Sequence, residues 1–232
     1  MKRALWVLLL LAALPLRAGT YFQFGVETFL GGRYRLFSLA PWAGLRFSLA
    51  DSSSLIVKFR QQSIAFDFVG ADEVERRQKS SLSMVTGVYY YQKGKLDAYV
   101  ALFQMLGSRG YSSTGADAGA ACKLGRVVAL ETGLYLLNEK STLWYPEEPP
   151  RRISTYVWHA GVTLDLAPKL ELNPQVHFGN NSDHVSTFAY SAGLTYSPRD
   201  PIYITLTYVH YSENEQVRFS GDYVWGGINF YF

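Results

Sequence analysis

The last twelve residues of the chain alternate between an apolar and a more polar set of positions. A repeat of two residues is that of a β-strand whose two faces lie in different media. Aromatic residues occupy four of the last eight positions. A strand of this kind is typical of one that closes a barrel in lipid, with its rings at a membrane interface. The apolar set comprises Phe232, Phe230, Ile228, Gly226 and Val224, and the other set comprises Tyr231, Asn229, Gly227, Trp225 and Tyr223.

This alternation resembles the C-terminal signal of bacterial outer-membrane β-barrel proteins. In those proteins a final Phe preceded by alternating apolar residues is read by the barrel insertion machinery. Phe232, Phe230 and Ile228 carry the resemblance here. It implies a location in the cell outer membrane of a Gram-negative-type bacterium. The implied partners are the insertion machinery and the outer-membrane lipid, lipopolysaccharide included.

The first eighteen residues predict a secretory signal peptide. Lys2 and Arg3 precede an apolar run over residues 4–14, and Pro15 breaks that run. The run is too short to span a bilayer comfortably, so we expect cleavage after Ala18 rather than an anchor. The mature protein is then a single domain, residues 19–232.

Charge and cysteine content exclude several classes of protein. Residues 1–18 contain three basic residues and no acid, and the remainder has equal numbers of each. The basic isoelectric point therefore belongs to the leader, and no nucleic-acid partner is expected. Cys122 is the only cysteine, which excludes an internal disulfide. No cofactor and no metal site is predicted.

Two kinds of chain break alternate along the sequence. Short connections alternating with longer ones are typical of bacterial up-and-down barrels. The breaks predict an all-β, antiparallel transmembrane barrel of about twelve strands, with ten as the alternative. The short turns lie near 51–53, 93–95, 123–126, 167–169 and 197–200, and the longer connections near 31–41, 70–79, 107–114, 139–151, 179–183 and 213–220.

The third predicted strand changes its apolar face part-way along. Leu55, Val57 and Phe59 share one face, whereas the apolar residues beyond residue 63 fall on the other. An extra residue in one strand exchanges the two faces. We therefore expect a bulge at 61–63.

Interior positions of the predicted strands collect charges of both signs. Such charges either pair across the lumen or line a water-filled path for a small polar solute. Barrels of about eight strands are filled by side chains and those of about sixteen leave a channel, so twelve falls between. Balanced charge favours pairing, because ion selectivity requires one sign to dominate. The predicted lumen-lining residues are Glu27, Arg46, Lys58, Arg60, Asp97, Asp117, Glu131, His159, Asp165, Glu171 and His177.

The function predicted from these features is that of an integral outer-membrane barrel, either structural or passing small solutes. The sequence contains no strong catalytic signature. One alternative is adhesion or partner binding through the extracellular loops, of which 139–151 is the longest and most distinctive. The segment Tyr208-x-x-Tyr211-x-Glu213-x-Glu215 loosely resembles YaiO-type outer-membrane barrels, a family with no well-defined activity.

A second alternative is an outer-leaflet lipid hydrolase. His210 and Ser212 share the lipid-facing side, and a turn pairing Tyr196 with Pro201 would bring Ser186 close to both. A histidine beside a serine supplies a base and a hydroxyl nucleophile for ester hydrolysis.

The segment His210-Tyr211-Ser212 is similar to the His-x-Ser segment of the lipid A 3-O-deacylase family. The resemblance implies that His210 is the base and Ser212 the nucleophile. The chain departs from the family by carrying Glu213 where an Asn follows the Ser. An acid to orient His210 would have to be Glu213 or Asp222.

Overall fold

Twelve antiparallel strands make up the part of the chain that the computed structural model describes, which is residues 19–69, 73–143, 149–214 and 219–232. The predicted fold class and the strand number of twelve are confirmed. The predicted signal peptide, residues 1–18, lies outside the described residues. The strands are β1 (Thr20–Gly31), β2 (Leu36–Ala50), β3 (Ser53–Val69), β4 (Glu75–Lys93), β5 (Leu96–Gly107), β6 (Ser112–Lys123), β7 (Val128–Lys140), β8 (Arg152–Ala167), β9 (Leu170–Asn181), β10 (Ser186–Arg199), β11 (Ile202–Glu213) and β12 (Gly221–Tyr231).

Each strand pairs with the next in the chain, and β1 pairs with β12 to close the barrel. The closing register runs from Gln23 opposite Tyr231 to Gly31 opposite Tyr223. Closure leaves no unpaired sheet edge, which hydrocarbon would not tolerate. Across the described ranges, no helix has the length and apolar character needed to cross a membrane.

The connections differ between the two ends of the barrel. At one end, here called the turn end, the chain reverses tightly, as at residues 51–52 and 94–95. At the other, the loop end, lie the connections at 32–35, 70–74, 108–111, 141–151, 182–185 and 214–220. Because the strand number is even, the first and last strands both have their free ends at the turn end.

Apolar side chains cover the outer face of the barrel. Leu102 is 64% exposed, Phe59 51% and Val26 47%, and eleven of the twelve strands expose such residues. The exception, β6, turns Ala116, Ala118 and similarly small residues outward. Soluble proteins rarely expose a continuous apolar surface of this extent. The outer face is therefore suited to hydrocarbon.

Strand β3 contains no bulge. It pairs with β4 in one unbroken register along its whole length, so the predicted bulge at 61–63 is wrong. The apolar residues Ile64, Phe66 and Phe68 face the lumen instead. The apolar face changes because the interior is itself apolar at the loop end, and alternation alone does not distinguish an apolar interior from lipid.

An apolar plug narrows the lumen at the loop end. Phe66 and Leu143 are each 1% exposed, although one comes from β3 and the other from the β7–β8 connection. Residues from opposite parts of the wall form one cluster, so their side chains pack across the lumen. The plug is defined by its buried members, which are Leu36, Ile64, Phe66, Leu82, Tyr111, Leu143 and Tyr223.

Ion pairs extend the strands at the loop end. Asp67 accepts from Arg35 at 2.7 Å and from Arg77 at 2.9 Å, and Arg35 also lies 2.5 Å from Glu75. The hydrogen bond to Glu75 and the charge of Asp67 raise the pKa of Arg35 above its ordinary value. The predicted connections were too long here, since β2 begins at Leu36 and β4 at Glu75. Residues 36–41 and 75–79, which were predicted as loops, lie in paired strands.

Lumen-facing glycines make room for rings on neighbouring strands. A Cβ at Gly119 would lie 2.7 Å from Cε1 of Tyr99, and a Cβ at Gly133 would overlap the imidazole of His159. Both glycines sit beside these rings in the strand register. Large polar rings can therefore lie flat against the wall without displacing the adjacent strand.

Candidate functional site

The structure places all eleven predicted lumen-lining residues on the inner face of the barrel. The register shows their shared face, with His159 opposite His177 and Asp165 opposite Glu171. Most of the charges are separated around the circumference. The basic residues of this set lie on β2 and β3, whereas its acids and histidines lie on β5 to β9, apart from Glu27 on β1. Since the strands follow one another in chain order, these groups line opposite sides of the lumen.

The basic side keeps its cations largely unneutralised. Nη1 of Arg60 lies 3.2 Å from Oε2 of Glu27. Nζ of Lys58 lies 4.6 Å from the centroid of the Trp42 ring, a cation–π contact. Nε of Arg46 donates to a serine hydroxyl at 3.2 Å. The basic wall is defined here as Arg46, Lys58 and Arg60.

Two carboxylates of the acidic side, Glu131 and Asp117, accept hydrogen bonds from neutral donors. Oε1 of Glu131 accepts from Asn173 and from Gln175, each at 2.6 Å. Oδ1 of Asp117 accepts from the Tyr99 hydroxyl at 3.1 Å. Neutral donors stabilise a carboxylate without cancelling its charge. The acidic wall is defined here as Asp97, Asp117, Glu131, Asp165 and Glu171.

The balanced charge favoured pairing across the lumen, but the ion pairs found among these described residues run along the wall. Asp97 on β5 pairs with Lys123 on the neighbouring β6 at 3.3 Å near the turn end, and Glu27 on β1 pairs with Arg60 on β3. Within the described ranges, the other four acids of the acidic wall have no lysine or arginine partner within 4.0 Å. Among the same described residues, no carboxylate lies within 4.0 Å of Arg46 or Lys58. The two walls form few ion pairs because residues of like charge lie on neighbouring strands.

Two histidines lie beside the acidic wall at mid-lumen. The His159 and His177 ring centroids are 5.9 Å apart. Nε2 of His159 lies 4.0 Å from Oδ1 of Asp117, and Nε2 of His177 lies 3.3 Å from the Ser191 hydroxyl. The Asp117 side chain is 32% exposed, so water reaches this level. In the part of the chain that the structure describes, no cluster of three His, Cys, Asp or Glu residues is arranged for a metal ion.

A cavity of about 340 Å³ opens beside the basic wall, just below the apolar plug. No local sequence pattern indicates it, because its lining comes from β1, β2 and β3 near one end of the chain and from β11 and β12 near the other. Only the closed strand order, which joins β1 to β12, brings those strands together. The cavity is lined by Phe29, Leu36, Ser38, Arg60, Gln62, Ile64, Val209 and Trp225.

On the outer face, His210 has an acidic partner. Its Nδ1 lies 2.8 Å from Oδ1 of Asp222 on β12, which also accepts from the Tyr208 hydroxyl at 2.6 Å. The Tyr190 ring stacks on the imidazole with centroids 4.9 Å apart. Of the two acids considered from the sequence, Asp222 therefore faces His210.

The serines are placed differently from one another. Ser212 lies two residues from His210 on the same face, but no hydrogen bond joins them among the residues described. The predicted pairing of Tyr196 with Pro201 is wrong, because Tyr196 pairs with Ile204. Ser186 therefore lies two positions beyond Ser212 and four beyond His210, rather than beside both. The N–H of Ser186 donates to Asn214, beyond the end of β11.

The β7–β8 connection, predicted as a contact loop, packs inward at its start. Ser141 and Leu143 are buried, and Arg151 pairs with Asp183 at 3.0 Å. Residues 144–148, which include its aromatic segment, lie outside the described residues. The described part of the loop is thus anchored to the barrel.

No protein-family model and no curated protein matches the chain. Solved structures share its fold. The COG4313 outer membrane channel from Pseudomonas putida F1 matches with a TM-score of 0.72 and 12% identity, over 95% of this chain and 97% of that one.

Two porins are also similar in fold. KdgM, solved with disordered oligogalacturonate, matches with a TM-score of 0.58 and 7% identity, over 91% of this chain and 99% of its own. NanC matches with a TM-score of 0.57 and 8% identity, over 91% and 98%. These neighbours are outer-membrane β-barrel proteins, which agrees with the predicted location in the cell outer membrane. At such identities the likeness concerns the fold.

Proposed function

We propose that the protein is an outer-membrane channel for small polar solutes. The separation of the basic wall from the acidic wall carries this proposal. Charges left unpaired in a dry interior would cost several kcal/mol each, on the order of what burial of a lone ion costs in proteins. Their persistence on facing walls requires water between them. The channel and porin folds of the structural neighbours support the same function.

The apolar plug limits the expected width of the conducting pore. Its residues leave little free space at the loop end, so the proposed channel conducts weakly in this state. Purified protein in a planar lipid bilayer should show small, discrete conductance steps. A variant with a smaller plug, Phe66→Ala, should show larger ones. Absence of steps from both proteins would leave a structural role instead.

A lipid hydrolase is a second candidate, favoured by the hydrogen bond between His210 and Asp222. A carboxylate on Nδ1 fixes the tautomer in which Nε2 can accept a proton, as a general base requires. In this proposal the Ser212 hydroxyl attacks the acyl carbonyl of an outer-leaflet ester and His210 takes its proton. His210 then gives that proton to the alcohol that leaves as the ester C–O bond breaks, and water hydrolyses the acyl-serine to release the fatty acid.

Fatty-acid release from lipid A or phospholipid micelles tests the hydrolase. Ser212→Ala should abolish release and Asp222→Asn should lower it strongly, whereas Ser186→Ala should leave it unchanged. Wild-type protein that releases no fatty acid from either lipid rules this candidate out.

We further propose that residues 1–18 are removed on export and that Phe232 is read by the barrel insertion machinery. The backbone N–H of Phe232 donates to Phe22 at 2.8 Å, so the last residue takes part in closing the barrel. Lipopolysaccharide is the proposed neighbour at the loop end. Adhesion through the β7–β8 connection stays a prediction.

A further inference from the structure

The cavity beside the basic wall is lined mainly by apolar side chains and by one cation. Phe29, Ile64, Val209 and Trp225 supply ring and aliphatic surface, and Arg60 reaches the same space. Gln62 donates to the Ser38 hydroxyl at 2.7 Å, so these two polar groups largely satisfy each other. Apolar walls with one charged group are the usual composition of a small-ligand site.

Arg60 has unused hydrogen-bonding capacity. A guanidinium carries five N–H donors in a planar fork. Its ion pair with Glu27 uses Nη1, whereas Nε is buried and has no partner among the described residues. Glu27 is the only partner of Arg60 among the described residues, so the guanidinium keeps further donors that a ligand in the cavity can use.

The two facing walls determine the sign of the charge that a ligand of this cavity carries. A carboxylate in the lumen is repelled by the acidic wall, where Asp117 and Glu131 have no lysine or arginine partner within 4.0 Å among the described residues. It is attracted toward the basic wall, where Arg60 lines the cavity. Charged clefts concentrate ligands of opposite sign in this way. A cation would be drawn to the other side, away from the cavity.

We propose that this cavity binds small monocarboxylates that have a compact apolar body. The carboxylate lies on Arg60, and the apolar part packs against Phe29, Val209 and Trp225. A volume of about 340 Å³ is near the lower end for ligand pockets, which limits the ligand to one small ring or a short chain. This inference rests on the proposed channel, because the lumen is the route to the cavity.

Benzoate is a suitable probe, and its binding can be measured by isothermal titration of the folded barrel in detergent. Benzyl alcohol, which lacks the charge, and acetate, which lacks the apolar body, should each bind at least about tenfold more weakly. Arg60→Gln should weaken benzoate binding about ten- to a hundredfold, because a hydrogen bond to a charged group is lost. Val209→Trp, which fills the cavity and keeps Arg60, should weaken it as well.

Lys123→Gln is the control, because it removes a cation that pairs with Asp97 near the turn end, away from both the basic wall and the cavity lining. Its benzoate affinity should stay within about twofold of the wild type. Equal binding by wild type and Arg60→Gln, or by wild type and Val209→Trp, overturns the proposal, as does loss of binding in Lys123→Gln alone. Heat-modifiable migration on gels shows that each variant is folded.

The titration is independent of conduction. Protein that conducts in bilayers but does not bind benzoate contradicts the cavity alone. Protein that binds benzoate as expected without conducting contradicts the channel alone.

Discussion

Truncation of Phe66 in the apolar plug should destabilise the barrel by about 3–5 kcal/mol, the usual cost of a buried Phe→Ala change. The side chain is 1% exposed and packs with other plug residues, so its removal leaves a cavity that the rigid strands cannot fill. Phe59→Ala, on the same strand but 51% exposed on the outer face, is the control. Lipid can occupy the vacated space there, so only a transfer cost of about 1.5–3 kcal/mol is expected.

The free energy of unfolding can be measured by guanidinium titration of barrels folded into lipid vesicles, with Trp fluorescence as the readout. The slope against denaturant should be similar for the wild type, Phe66→Ala and Phe59→Ala, so that the midpoints report stability. If Phe59→Ala proves as costly as Phe66→Ala, or more so, the plug does not exist as described. A bulge that turned Phe66 toward lipid would give that result.

Three further outcomes are expected. Lys58→Gln should shift the reversal potential of the proposed channel toward cation selectivity and Asp117→Asn toward anion selectivity; shifts of the same sign would contradict the two-wall arrangement. Gly133→Val should cost about 1–3 kcal/mol through overpacking against the histidine ring, whereas Gly87→Ala, with open space around it, should stay within about 0.5 kcal/mol, both measured by the same unfolding titration. Phe232→Ala should accumulate unfolded in the periplasm on cell fractionation, and normal assembly would show that the insertion machinery does not need this ring.

Alternation predicted the faces of most strands because lipid and a polar lumen differ sharply. It failed in β3, where Ile64 and Phe66 are apolar and nonetheless point inward. A period of two assigns residues to two faces but does not say which face is the interior. The predicted connection lengths failed for a related reason, since ion-paired strands such as those around Asp67 are as polar as loops.

The separation of charges in the lumen could have been predicted from the sequence. In an up-and-down barrel the strand order is the chain order, so Lys58 and Arg60 on one strand and Glu131 and Glu171 on later ones already implied facing walls. The His210–Asp222 contact depended on the register of β11 with β12. The cavity could not be predicted, because it depends on side-chain shape and on barrel closure, and a local sequence pattern indicates neither.

The pairing of β1 with β12 makes assembly an all-or-none event. The backbone hydrogen bonds of β1 are complete only when β12 has been synthesised and paired with it. Nearly the whole length of the chain separates these two strands. A prematurely terminated product would present two open edges, which neither the bilayer nor the periplasm accommodates safely. The seam between β1 and β12 is therefore where a cell could distinguish a finished molecule from a defective one.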